Sequence, residues 1–118
     1  MITTSELLAR NCKERQTALS AATIVLWLPL VPGWAVEQGK LCRLFKFPNY
    51  YKSMDFVNAV ALMTHAQDHH PELVVTYNTC LVRYATHSVN QGQGGLSEND
   101  FMCAARVSAI YEGMVGAA

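Results

Sequence analysis

Neither sign of charge is in excess in this 118-residue chain, where nine lysines and arginines balance nine aspartates and glutamates. Without a basic surplus it lacks the bulk electrostatic footprint of a nucleic-acid binder. Cysteines are few and scattered, at Cys12, Cys42, Cys80 and Cys103, with no CxxC pair. That spacing supplies neither a zinc ribbon nor a disulfide framework, and it predicts reduced, mostly buried thiols in a cytoplasmic protein. No hydrophobic run is long enough to span a bilayer. The most apolar stretch, Ala21 to Val31, is short, and Pro29 and Pro32 interrupt its end. A basic start close to Met1 and a cleavage site are also missing, so a secretory signal is not expected. The stretch is expected to be a core helix and the loop that follows it. No internal repeat or low-complexity tract occurs.

What is present is a globular composition. Hydrophobic residues make up 51% of the chain and charged residues 15%, which suits one domain with a modest core. Residues 1 to 18 are polar and predict an N-terminal extension with one helical turn, ahead of a domain spanning residues 19 to 118. A helix is expected from Ser20 to Leu28, stopped by Pro29, with a turn at Pro32-Gly33. Trp34 to Val36 and Leu41 to Phe47 predict two strands joined across Gln38-Gly39. Phe56, Ala59, Val60 and Met63 form the apolar stripe of a helix from Tyr50 to Gln67, which Pro71 ends before His70. Leu73 to Tyr77 and Cys80 to His87 predict two more strands, with Cys80, Val82, Tyr84 and Thr86 on one face. Residues Gln91 to Gly95 predict a flexible loop. Ser97 and Asp100 have capping-box spacing at the start of a last helix, whose stripe is Cys103, Val107, Ile110 and Met114. The order α-β-β-α-β-β-α predicts an α+β fold, a four-stranded antiparallel sheet with helices on one face.

The chemistry concentrates in histidine. Of the four, His65, His69 and His70 fall within six residues, and His87 follows later. Imidazole is the side chain best placed to give and accept protons near neutral pH. His65 and His69 share a helix face if the helix reaches that far, whereas Pro71 pushes His70 into extended geometry. At the end of the last strand, His87 is expected to project onto the helix-free sheet face beside the His69-His70 corner. A zinc site from His65, His69 and His87 is a rival reading. Against it, Ala66 stands where HExxH has its glutamate, so no metal is expected.

The segment His65-Ala-Gln-Asp-His-His-Pro-Glu72 resembles the signature of the pterin-4a-carbinolamine dehydratases. In that family a His-His-Pro corner is followed by an aromatic residue, a histidine and an aspartate, here Tyr77, His87 and Asp100. Pro32-Gly33-Trp34 and the run of Leu41, Arg43, Phe45 and Phe47 are similar to its first hairpin, and Gly94 to Asp100 to the start of its last helix. The resemblance covers residues 19 to 111, with a longer loop than usual between His87 and Leu96. Around Leu7 to Cys12 the leader resembles extended bacterial-type members.

The resemblance implies a dehydratase that removes the 4a-hydroxyl of 4a-hydroxytetrahydropterin as water, giving quinonoid dihydropterin in tetrahydropterin recycling. It implies His69, His70 and His87 as the acid–base set, with substrate contacts from His65, Pro71 and Glu72. No cofactor is implied. The expected partners are the pterin substrate and further copies of the chain, as a homodimer or homotetramer, with no nucleic acid and no membrane. The alternative is a non-catalytic member of the fold, acting as a protein-binding or assembly factor.

Overall fold

Two antiparallel hairpins build the sheet. The computed structural model describes residues 2 to 116, and in it β1 (Ala35–Glu37) and β2 (Lys40–Lys46) meet at a turn where Gln38 and Gly39 both have positive φ, 52° and 77°. Such a turn twists in the sense that adjacent strands require. The second hairpin pairs β3 (Glu72–Val75) with β4 (Thr79–Tyr84), and the strand order is β1-β2-β4-β3, antiparallel throughout. Four α-helices accompany the sheet among the described residues: α1 (Thr4–Ala9), α2 (Ala21–Trp27), α3 (Tyr50–Gln67) and α4 (Glu98–Gly116). The α+β architecture is the expected one, with α1 as the turn of helix in the leader.

Alternation along the central strands explains which face the helices cover. Leu41 and Phe45 of β2 and Cys80, Val82 and Tyr84 of β4 are fully or almost fully buried, against Phe56 and Val60 of α3 and Phe101 and Val107 of α4. Phe45 lies 4.8 Å from Phe56 between ring centroids. Arg43 shares this face: its guanidinium lies 4.5 Å over the Phe45 ring and, with the Trp34 indole N–H, donates to Ser108 Oγ. The positive φ of Gly33 (88°) suits glycine, and a Cβ there would meet Arg43 Nε at 3.0 Å.

Three expectations need correction. The last strand ends at Tyr84 rather than His87, because β2 and β3 offer partners only as far as Tyr84 and Arg83. Beyond it a single bridge joins Thr86 to Gly95 and closes the base of the following loop. That loop is not featureless: it contains a 3-10 turn at Asn90–Gly92 and is anchored by the buried Val89. Finally, α2 is not a core helix. One side packs inward, with Trp27 edge-on to Phe101 at 5.6 Å, while Val25 and Leu26 stay exposed. A seven-residue helix at the margin of the layer has only one side to bury.

The leader contributes to the core as well. Thr3 caps α1 by accepting from the Glu6 amide, and Leu7 is fully buried in the main cluster. Leu7→Ala is therefore expected to cost about 2–5 kcal/mol of stability, read from the shift in denaturant midpoint. A midpoint unchanged from wild type would place the leader outside the cooperative unit.

Candidate active site

The corner after α3 is set by its last residues. Asp68 caps the helix in the left-handed conformation (φ 51°, ψ 40°), its amide donating to Thr64 O at 2.8 Å. Aspartate tolerates that geometry better than most residues. The helix thus stops at Gln67, and His69 leaves it. Because of this His65 and His69 do not share a helix face, and His65 stays on the exposed side of α3.

His69 is the best-fixed histidine. Its side chain is 12% exposed, Nε2 lies 2.6 Å from Asp100 Oδ1, and the ring stacks on Tyr84 with an interplanar angle of 13°. Asp100 is fully buried at the start of α4. Its other oxygen accepts from the Ser97 amide at 2.8 Å and from Thr86 Oγ1 at 2.9 Å. The Ser97 hydroxyl lies 2.6 Å from Thr86 Oγ1 and accepts from the Asn99 amide. With one proton on each hydroxyl, the chain of donors runs from Ser97 to Thr86 to Asp100. In the neutral ring, Nε2–H donates to Asp100 and leaves Nδ1 with its lone pair. The capping box anticipated from Ser97 and Asp100 thus has a second task, holding His69.

His69, His70 and His87 line one cavity of about 530 Å³, together with Thr86 and Asn99. Its size is within the usual range for a small-molecule site. His70 is mostly exposed, as is His87. The cavity does not lie on the helix-free sheet face, where His87 was expected. It lies beyond the sheet end, walled by the α3 corner, the start of α4 and the leader, because the strand stops before His87.

Residues 12 to 15 of the leader form the remaining wall, and nothing in their sequence marked them. They are held by long-range polar contacts. The Cys12 amide donates to Gln67 Oε1 at 2.7 Å, Asn99 exchanges hydrogen bonds with the Lys13 backbone, and Arg15 pairs with Glu98 at 3.2 Å. Arg10 pairs with the same Glu98.

His65, Pro71 and Glu72 are not among the lining residues. Glu72 points into a second depression, where it accepts from Arg83 at 2.9 Å and faces Lys40 at 3.9 Å. The Arg83 hydrogen bond and the Lys40 charge hold its carboxyl below the usual range. Pro71 turns the chain into β3. Among the described residues, no three His, Cys, Asp or Glu side chains converge as a metal-ligand set.

Residues 17–110 match the family model described as pterin 4 alpha carbinolamine dehydratase. The chain belongs to that family. A relative from Bdellovibrio bacteriovorus, provisionally named a pterin-4-alpha-carbinolamine dehydratase, is 44% identical over 110 residues, covering 93% of this chain and 92% of its own. A similarly named protein from Stenotrophomonas maltophilia is 51% identical over 96 residues, covering 80% of this chain and 79% of its own. Among solved structures, a transcriptional coactivator/pterin dehydratase from Brucella melitensis superposes with a TM-score of 0.74 at 30% identity, covering 80% of this chain and 99% of that one. A pterin dehydratase-like RuBisCO assembly factor of the alpha-carboxysome shares the fold at 20% identity and a TM-score of 0.54, over 66% and 86% of the two chains. No helix among the described residues is long and apolar enough to cross a membrane.

Proposed function

We propose that the chain is a 4a-hydroxytetrahydropterin dehydratase that works by histidine acid–base catalysis without a metal or cofactor. The observation that carries this reading is the shared cavity of His69, His70 and His87, with His69 held by a buried carboxylate. Dehydration needs a proton delivered to the 4a-oxygen as the C4a–O bond breaks. The N5 lone pair closes the C4a–N5 double bond, and a base removes a ring-nitrogen proton, leaving quinonoid dihydropterin and water. Two exposed imidazoles can exchange protons with solvent, while the Asp100-bound ring keeps a fixed orientation. Groups so placed typically contribute about 10²- to 10⁴-fold. His65, Pro71 and Glu72 are assigned the rim and the corner rather than the reacting ring.

The reading also carries a homodimer or homotetramer in a reducing cytoplasm. Leu44, Leu81 and Val74 are register neighbours on the helix-free face, and Leu44 and Val74 are well exposed, which supports a further copy of the chain as the cover.

The test is dehydration of synthetic carbinolamine, with and without chelator. Turnover well above the spontaneous rate and indifferent to chelator is expected. Loss of turnover with stoichiometric metal would establish the metal reading, and no acceleration at all would favour a protein-binding role.

A further inference from the structure

One reactive pair lies outside the histidine chemistry. Cys12 Sγ is 3.5 Å from Cys103 Sγ, although 91 positions separate them. Cys12 lines the cavity, half-buried, in a stretch without regular secondary structure, while Cys103 is fully buried on α4. We propose that Cys12 and Cys103 are a redox pair, which hydroperoxide converts to an intrachain disulfide beside His69.

The two sulfurs are suited to different steps. Cys12 is held below the usual thiol range, first by its hydrogen bond with Cys103 and then by the charges of His69, Arg106 and Arg15, although its burial opposes them. The thiolate is the nucleophilic form, and an electropositive, partly exposed setting is where it reacts. Cys103 is pushed well up by its hydrogen bond to Cys12 and by burial. Cys42 and Cys80 are also pushed up by burial, Cys80 to about 11.

Cys12 therefore attacks peroxide first. Its thiolate sulfur bonds to one oxygen, the O–O bond breaks, and the other oxygen leaves as hydroxide, which takes up the proton that Cys12 had released and becomes water, giving a sulfenic acid. Once Cys12 is no longer an anion, what raises Cys103 most is gone. The Cys103 sulfur then bonds to Cys12 Sγ, the S–O bond breaks, and the hydroxyl departs with the Cys103 proton as a second water. Two thiols and one hydrogen peroxide become one disulfide and two waters. Bonding at about 2.05 Å requires the sulfurs to close by roughly 1.5 Å, a shift that falls on the irregular leader rather than on α4. The bond would lock the cavity wall to the helix that carries Asp100.

The inference does not depend on the dehydratase reading, and its test needs no turnover assay. Reduced full-length protein is exposed to hydrogen peroxide, then denatured, labelled with maleimide and weighed intact. Two of the four thiols are expected to disappear, the unlabelled mass to fall by two hydrogens, and a digest to join the Cys12 and Cys103 peptides, reversibly with a thiol reductant. In Cys103→Ala a dimedone-type probe should trap the sulfenic acid at Cys12, formed more slowly than the wild-type disulfide because the hydrogen bond that lowers Cys12 most is gone, and in Cys12→Ser no disulfide should form. Alkylation of Cys12 should outpace that of Cys42 and Cys80 by about tenfold or more at neutral pH, with an inflection below the free thiol's value of about 8.5. Four intact thiols, a cross-link between separate chains, or sulfinic acid at Cys12 without a bridge would each overturn the proposal.

Discussion

His87→Ala is expected to lower kcat by about 10²- to 10⁴-fold while the circular dichroism spectrum and denaturant midpoint stay at wild-type values. The side chain is exposed, makes no hydrogen bond among the described residues and sits beyond the last strand, so its removal takes nothing from the core. What it removes is one imidazole of the three around the cavity. His70→Ala should behave alike, since the side chain is largely exposed and its contact with Asp68, at 3.9 Å, is with an exposed carboxylate. His65→Ala is the internal control, because that side chain stands off the cavity on α3; its turnover should fall far less. Dehydration rates on the purified variants decide the matter. A folded His87→Ala protein with wild-type turnover would make His87 a surface residue and dismantle the proposed set.

A second large effect is expected at Asp100, in stability and turnover together. Asp100→Ala leaves the Ser97 amide, the Thr86 hydroxyl and His69 Nε2 without their common acceptor. A buried donor left unsatisfied costs about 1–3 kcal/mol; the Thr86 hydroxyl can still turn to Ser97 Oγ, so with the Ser97 amide and His69 affected the loss should be comparable to that of Leu7→Ala. Asp100→Asn keeps the volume and one carbonyl oxygen, and should retain more stability. Its single oxygen can stay with the Ser97 and Thr86 donors only by turning the NH2 toward His69 Nε2, which then accepts, so the imidazole is held in the opposite tautomer with its proton on Nδ1. The expected signature is a folded variant with kcat reduced much more than KM is changed. If Asp100→Asn unfolds less than Asp100→Ala but turns over at the wild-type rate, Asp100 serves only as a helix cap.

The fate of individual residues shows how far local pattern reaches. Phe56 and Val60 face the core as their spacing required, and so do Cys80, Val82 and Tyr84 on the alternating strand. Pro71 and the 69–72 corner, Gln38-Gly39 and the Ser97–Asp100 box lie where local stereochemistry puts them. These are short-range effects of backbone sterics and of side-chain period, and they act on the unfolded chain as on the folded one. The same spacing brought out the histidine corner and its resemblance to a family.

Other features had no local trace. An alternating run from Cys80 to His87 reads as one strand, yet strand length depends on partners, and β2 and β3 end their ladders at Tyr84 and Arg83. The apolar run at Ala21 reads as core, yet burial depends on what lies on each side, and Val25 and Leu26 stay mostly exposed among the described residues. Asp100 could be placed at a helix start from sequence, but its bond to His69 spans 31 positions.

By itself, then, the sequence determined the order of elements, the faces of the long helices and inner strands, and the residues capable of acid–base work. Each follows from periodicity, breakers and side-chain chemistry within a few neighbouring positions. Only the tertiary structure decided that the cavity shared by His69, His70 and His87 lies beyond the end of the sheet and not on its helix-free face, that a buried carboxylate holds His69, and that Cys12 comes against Cys103. It also decided that the leader walls the cavity. Those outcomes rest on contacts between segments distant in the chain, made when Leu7 enters the core and Asn99 takes hold of the Lys13 backbone, and such contacts impose no period on the residues that form them.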